Sequence, residues 1–195
     1  MTDSGRPPGR AGLGMREMVG AMVVLLVIVG LLVTVTRSCS FDPGAPSADR
    51  GSAPSVDVSV KLHEAASSVT FPVRQPELPS SWHANSSSTA PVGSGSGADV
   101  VVRVGWLTPG GRYVQLSQSG GSPGDVLAAE TGAASSRSGS VSAGGVSWGT
   151  YPSRRDEVAW VATLDGAVVL ITGDGSQEEF RRLAAAVAEA GPVAR

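Results

Sequence analysis

Cysteine is nearly missing from this chain: Cys39 is the only one among 195 residues. A lone thiol closes no intrachain disulfide and builds no cysteine metal cluster, so the fold must rest on its own apolar core. Lysine is as scarce, with Lys61 alone, and arginine supplies the remaining basic side chains. Lys and Arg together number 15 against 17 Asp and Glu, a net charge of −2. No polybasic patch is visible, which excludes nucleic acid as a partner. Histidine is limited to His63 and His83. Long apolar runs are absent, with one exception.

That exception, Met18 to Thr36 (MVGAMVVLLVIVGLLVTVT), carries no charge. As a helix it covers about 28 Å, close to the hydrocarbon thickness of a bilayer, with every backbone polar group satisfied internally. It reads as a transmembrane helix with the lipid bilayer as its partner. Arg6, Arg10 and Arg16 precede it and only Arg37 follows closely, so the N-terminus is expected in the cytoplasm and the rest outside it. A cleaved signal peptide is the competing reading, but its apolar core is normally about 7 to 15 residues. Lipidation of Cys39 is a second competitor, and Thr36, Arg37 and Ser38 stand where that signal wants an aliphatic and small residues.

Composition divides the chain into a disordered cytoplasmic arm over 1–17, the span over 18–36, a tether over 37–55 with Pro43, Pro46 and Pro54, and a domain over 56–195. The domain is long enough to bury about two-thirds of its unfolded surface. Asp57 to Ser68 reads as a short helix, with a strand from Val56 to Leu62 as the alternative. Pro72, Pro76 and Pro79 force an extended passage to Trp82. Ser86 to Gly97, ending in GSGSG, reads as a flexible loop. Val100 to Leu107 and Arg112 to Ser117 flank Thr108-Pro-Gly-Gly111 as a hairpin. Ser122, Pro123 and Asp125 open a helix that Gly132 stops. Ser138 to Ser142 and Val146 to Tyr151 are short strands about Gly144 and Gly145. Glu157 to Leu164 and Ala167 to Thr172 form a hairpin on Asp165-Gly166. Ser176 and Glu179 make a capping box for a last helix whose apolar face holds Phe180, Leu183, Ala184, Val187 and Ala188. The fold class is α+β, an antiparallel sheet with helices packed on one face.

Arg16-Glu-Met18, Phe71-Pro72, Leu78-Pro79 with Trp82, the run Gly105-Trp-Leu-Thr-Pro-Gly-Gly-Arg-Tyr-Val114, Gln118, Gly145 with Trp148, and Thr172-Gly173 occur in an order similar to the actinobacterial domain-of-unknown-function family 4245. The resemblance covers nearly the whole chain. It implies a membrane-anchored protein of mycolic-acid and related high-GC bacteria, and it implies no activity.

Gly145-Val-Ser147-Trp-Gly149 matches the G-x-S-x-G nucleophile pattern, which needs a strand before the serine and a helix directly after it. Thr150, Tyr151 and Pro152 follow instead. Both histidines precede Ser147, opposite to the order in α/β-hydrolases, although convergent triads take other orders. His63-Glu64-Ala-Ala-Ser67 begins like H-E-x-x-H but has Ser67 in place of the second ligand, so no metal is expected there. Gly93 to Gly97 lacks the strand, helix and lysine of a phosphate loop. Asn85-Ser-Ser87 fits a glycosylation sequon by chance. Trp82, Trp106, Trp148 and Trp160 are candidates for a ligand groove, with core packing as the default. No cofactor is expected. The sequence thus points first to a non-catalytic extracytoplasmic module that binds an envelope protein or ligand. A carrier or sensor of a small apolar, lipid-like ligand between sheet and helices comes second, and a hydrolase using Ser147 third.

Overall fold

The computed structural model describes residues 15–36, 55–132 and 136–194. The expected arm up to Gly14, Arg37, Cys39 and the tether as far as Pro54 lie outside the described residues. The chain divides into two units, Met1–Ser47 and Ala48–Arg195. Helix α1, Met15–Thr36, is the described part of the first and is 22 residues long. It contains the whole run expected to be helical and begins earlier, at Met15. Its crossing of a bilayer is not established: among the described residues no helix is long and apolar enough to cross a membrane.

In the second unit, local chemistry sets the ends of the helices. Helix α2 spans Val58–Ser68, with the Asp57 carboxylate accepting from the Val60 N–H at 3.1 Å as its N-cap. Leu62 and Ala66 turn inward, and the alternative strand is not formed. Helix α3, Pro123–Thr131, starts where Ser122 Oγ accepts from the Asp125 N–H at 3.1 Å, and Gly132 closes it in the left-handed conformation with φ 81°, a position that favours glycine. Helix α4, Gln177–Glu189, has both halves of its capping box: Ser176 Oγ accepts from the Glu179 N–H at 3.3 Å, and the Glu179 carboxylate accepts from the Ser176 N–H at 2.7 Å.

The strands are β1 (His83–Val92), β2 (Asp99–Leu107), β3 (Tyr113–Ser119), β4 (Gly139–Ala143), β5 (Val146–Pro152), β6 (Val158–Leu164) and β7 (Ala167–Gly173). They form one antiparallel seven-stranded sheet in the order β1-β2-β3-β7-β6-β5-β4. Two meanders, β1 to β3 and β4 to β7, therefore meet at a single ladder of β3 on β7, from Val114↔Gly173 to Ser119↔Val168. The β6–β7 turn at Asp165 and Gly166 has φ of 46° and 84°, as a tight hairpin requires. Strand β1 corrects the expected loop over 86–97. Residues 83–92 pair with β2 from His83↔Leu107 to Val92↔Asp99, with an irregularity between Ala84 and Ser86, and Gly95–Gly97 forms a 3-10 turn. An edge strand is held by its ladder and by what its neighbour buries, so serine-rich composition does not prevent it.

Alternation along the inner strands sorts their side chains into two layers. Val102, Val104 and Trp106 of β2 and Val169 and Ile171 of β7 share a core with Leu62 of α2 and with Phe180, Leu183, Ala184 and Val187 of α4. The intervening Val101, Val168 and Leu170 pack with Val126 and Leu127 of α3. Helices consequently cover both faces, α2 and α4 one and α3 the other, which corrects the expectation of helices on one face. Every residue of β7 is buried, and a strand apolar on both sides needs cover on both. The chain leaves β3 in the middle of the sheet and re-enters at the β4 edge, and α3 lies on that crossing.

One polar residue ties α4 to the sheet and to the β6–β7 turn. Arg74 is buried; its N–H donates to Gln118 Oε1 at 2.8 Å, and its carbonyl accepts from Gln118 Nε2 at 2.9 Å. Its Nη1 donates to the carbonyls of Val187 and Ala188, each at 3.4 Å, and of Ala190, while Nη2 pairs with the Asp165 carboxylate. A cation thereby closes the negative end of the α4 dipole.

Leu183→Asp places a carboxylate without a partner beneath α4, at a cost of several kcal/mol that approaches the stability of a typical domain. Cooperative thermal unfolding should be lost, whereas Arg182→Asp, on the exposed side, should shift the midpoint little; equal effects would mean that α4 is not docked by this face. The Glu179 carboxyl is subject to burial, which pushes its pKa up, but hydrogen bonds from Thr108 and Ser176 and the charge of Arg112 hold it below the ordinary value. A depressed folded-state pKa contributes stability above the unfolded value and loses it as pH falls through the folded one. The stability gap between the native chain and Glu179→Gln should therefore narrow as the solution is acidified below about pH 4, as urea unfolding at a series of pH values would show.

Candidate functional site

The residues singled out by sequence scatter across the fold. Trp82, Trp106, Trp148 and Trp160 come together in one core cluster, with exposures of 7%, 3%, 0% and 2%. The Trp148 Nε1–H donates to the Ala143 carbonyl at 3.2 Å, and Trp160 meets Phe180 edge to face with ring centres 5.4 Å apart. They fill the layer beneath the helices instead of lining a groove; Trp160 alone borders a small open hollow of about 360 Å³. Ser147 lies exposed on β5, which runs on to Pro152 with no helix directly after the serine. His83 is on β1, five strands away across the sheet, about 24 Å at a strand spacing of about 4.8 Å. His63 is on α2, which packs against β1; its Nδ1 is 2.8 Å from the Ser59 carbonyl. Neither histidine reaches Ser147. Among the described residues no group of three or more His, Cys, Asp or Glu could hold a metal ion.

The structure instead builds a polar site on the α3 face of the sheet. On β3, Tyr113, Gln115 and Ser117 alternate with the buried Val114 and Leu116, and beside them on β2 stands Arg103. Glu130, from the last turn of α3, reaches down onto this group with its side chain only 3% exposed. Its Oε1 accepts from Arg103 Nε at 2.8 Å and pairs with Nη2 at 2.7 Å. Its Oε2 accepts from Gln115 Nε2 at 2.7 Å and Ser117 Oγ at 3.0 Å. All four lone-pair directions of the carboxylate are thereby used. The network continues as the Tyr113 hydroxyl donates to Gln115 Oε1 at 3.2 Å and lies 3.1 Å from Ser86 Oγ. The Tyr113 ring occupies the space that a side chain at Gly105 would need.

Beside this network is a hollow of about 390 Å³, walled by the end of α3 and by residues 153–157. Its rim carries Arg154, Arg155 and Glu157. The turn is closed by Ser153 N–H to Glu157 carbonyl at 2.9 Å and Glu157 N–H to Arg154 carbonyl at 3.0 Å. Arg155 and Asp156 have φ of 56° and 61°, a left-handed pair without glycine that costs about 1–2 kcal/mol per residue. Arg154 lies against Gly132, whose missing Cβ leaves it room, and donates to the Ala129 carbonyl at 3.4 Å. A larger trough of about 1010 Å³ runs along α4 beside Gln75, Glu77 and Pro79, but its charged groups are solvent-facing and of both signs.

Sequence reasoning passed over this site because Gln115, Ser117 and Glu130 belong to no spaced motif, and Arg103 and Glu130 lie on different elements. The usable signal was polar alternation on β3, a strand flanked by apolar neighbours on both sides. Glu130→Gln leaves the Arg103 guanidinium without its counter-charge and should cost about 3 kcal/mol in urea unfolding. Pairing it with Arg103→Met should restore part of that loss; a double variant no better than the single one would mean that the ion pair does not organise the site.

No curated protein and no solved structure matches the chain. The model of a family described as protein of unknown function (DUF4245) matches residues 10–187, and with the match extending from before α1 into α4, the chain belongs to this family.

Proposed function

We propose that this protein is a single-pass, membrane-anchored component of the cell envelope, with its N-terminus in the cytoplasm and a non-catalytic binding module outside it. The observation that carries the anchor is α1: its large apolar side chains from Met18 to Val29 are all 48–68% exposed. A helix apolar on every side finds no stable place in water, and lipid is the solvent that suits it. The orientation rests on Arg6, Arg10 and Arg16 ahead of the helix. The binding role is supported by the open hollow beside the polar network, lined by Arg154, Arg155 and Glu157, while the Glu130 carboxylate, held by protein donors on both oxygens, is not set up for proton transfer. The partner is an envelope protein or ligand. The four tryptophans belong to the buried core, which supports the binding module over a carrier of apolar ligands.

A reporter active only outside the cytoplasm should work when fused after Arg195 and fail when fused to a truncation ending at Gly14; the reverse pattern inverts the topology. Ser147→Ala should leave the phenotype of the native chain unchanged. Labelling of the native chain by an active-site serine probe, with none in the variant, would make the domain a hydrolase.

A further inference from the structure

We propose that the hollow between the end of α3 and residues 153–157 binds a phosphate ester, with Arg154 and Arg155 as the clamp; this deepens the binding-module reading and rests on it. Of the three guanidiniums lining the hollow, Arg103 is neutralised by Glu130. Arg154 makes one long contact to a helix carbonyl, and among the described residues Arg155 has no hydrogen-bond or ion-pair partner. Two adjacent guanidiniums therefore face the hollow with donors to spare, and the Ser153 hydroxyl stands at the same wall. The tetrahedrally spread oxygens of a phosphate ester meet two guanidiniums approaching from different directions more fully than the coplanar pair of a carboxylate.

The backbone points the same way. Arg155 is fixed in the left-handed region, where glycine would be more comfortable, and among the described residues its side chain makes no hydrogen bond or ion pair that would repay the fold for placing arginine there. Glu157 adds the second half of the specificity. Its carboxylate shares the lining and repels a bare dianion, while it accepts from a hydroxyl or ammonium group carried next to the phosphate. A volume of about 390 Å³ suits a small ligand or a headgroup. The chemistry is shared by a soluble glycerol phosphate and by the headgroup of phosphatidylglycerol.

The full chain in maltoside micelles, with isotope-labelled arginine, is titrated with glycerol 3-phosphate while the side-chain Nε–H signals are followed by NMR. The Arg154 and Arg155 signals should shift and saturate. Arg155→Gly should weaken the binding about tenfold without lowering the melting temperature, whereas Arg181→Gln on α4 should leave the curve unchanged. In a second arm, phosphatidylglycerol is added to the micelles in place of the soluble ester. Movement of the same signals there identifies the lipid headgroup as the source, and movement with the soluble ester alone identifies a free ligand. Shifts that fail to saturate in both arms, or that survive Arg155→Gly, overturn the proposal. Binding in micelles does not depend on which side of a membrane the domain occupies, so failure here leaves the topology intact, and an inverted topology leaves this site intact.

Discussion

Arg74 is the point on which the layers of the domain depend. A guanidinium is among the costliest groups to remove from water, and it is retained only where fixed acceptors replace the solvent. Here the acceptors are the last carbonyls of α4 and the Asp165 carboxylate of the β6–β7 turn. The backbone of the same residue is held to β3 by Gln118. The proline-bearing passage, the middle of the sheet, one hairpin and the terminal helix are thus tied through one side chain and one amide. The Val193 N–H donating to the Val73 carbonyl at 2.7 Å extends the tie to the C-terminal segment.

The residues that carried the family resemblance are fixtures of this kind. Trp82 and Trp148 are core, Gln118 clamps Arg74, and Gly105 gives way to the ring of Tyr113. Gly173 brings the end of β7 against the Tyr113 carbonyl. Each serves close packing or backbone satisfaction, in keeping with a resemblance that implies no activity. Tyr113 is the exception in part, because its hydroxyl belongs to the polar network as well as to the sheet.

Much of the fold was legible where the signal is local. Caps at Ser122 and Ser176, the Asp165-Gly166 turn and the apolar stripe of α4 depend on residues close in sequence, and they formed as read. What was not legible depends on partners distant in sequence. The serines of β1 become a strand only because β2 offers a ladder, and α3 takes the opposite face only because β4 starts at the far edge of the sheet. The site is a harder case. Glu130 and Arg103 are ordinary surface residue types until the crossing of α3 presses one onto the other, and no spacing along the chain announces that meeting.

The single ladder joining β3 to β7 sets the order in which the domain can be completed. The hairpins within each meander close short loops, but the central pairing brings together segments about fifty residues apart, so its entropy must be met before any central contact repays it. Helix α4, which seals the apolar face, leaves the ribosome after all seven strands. Until it docks, the layer containing the tryptophans is open to solvent and to other chains, and a nascent molecule is most exposed to misassociation during that interval.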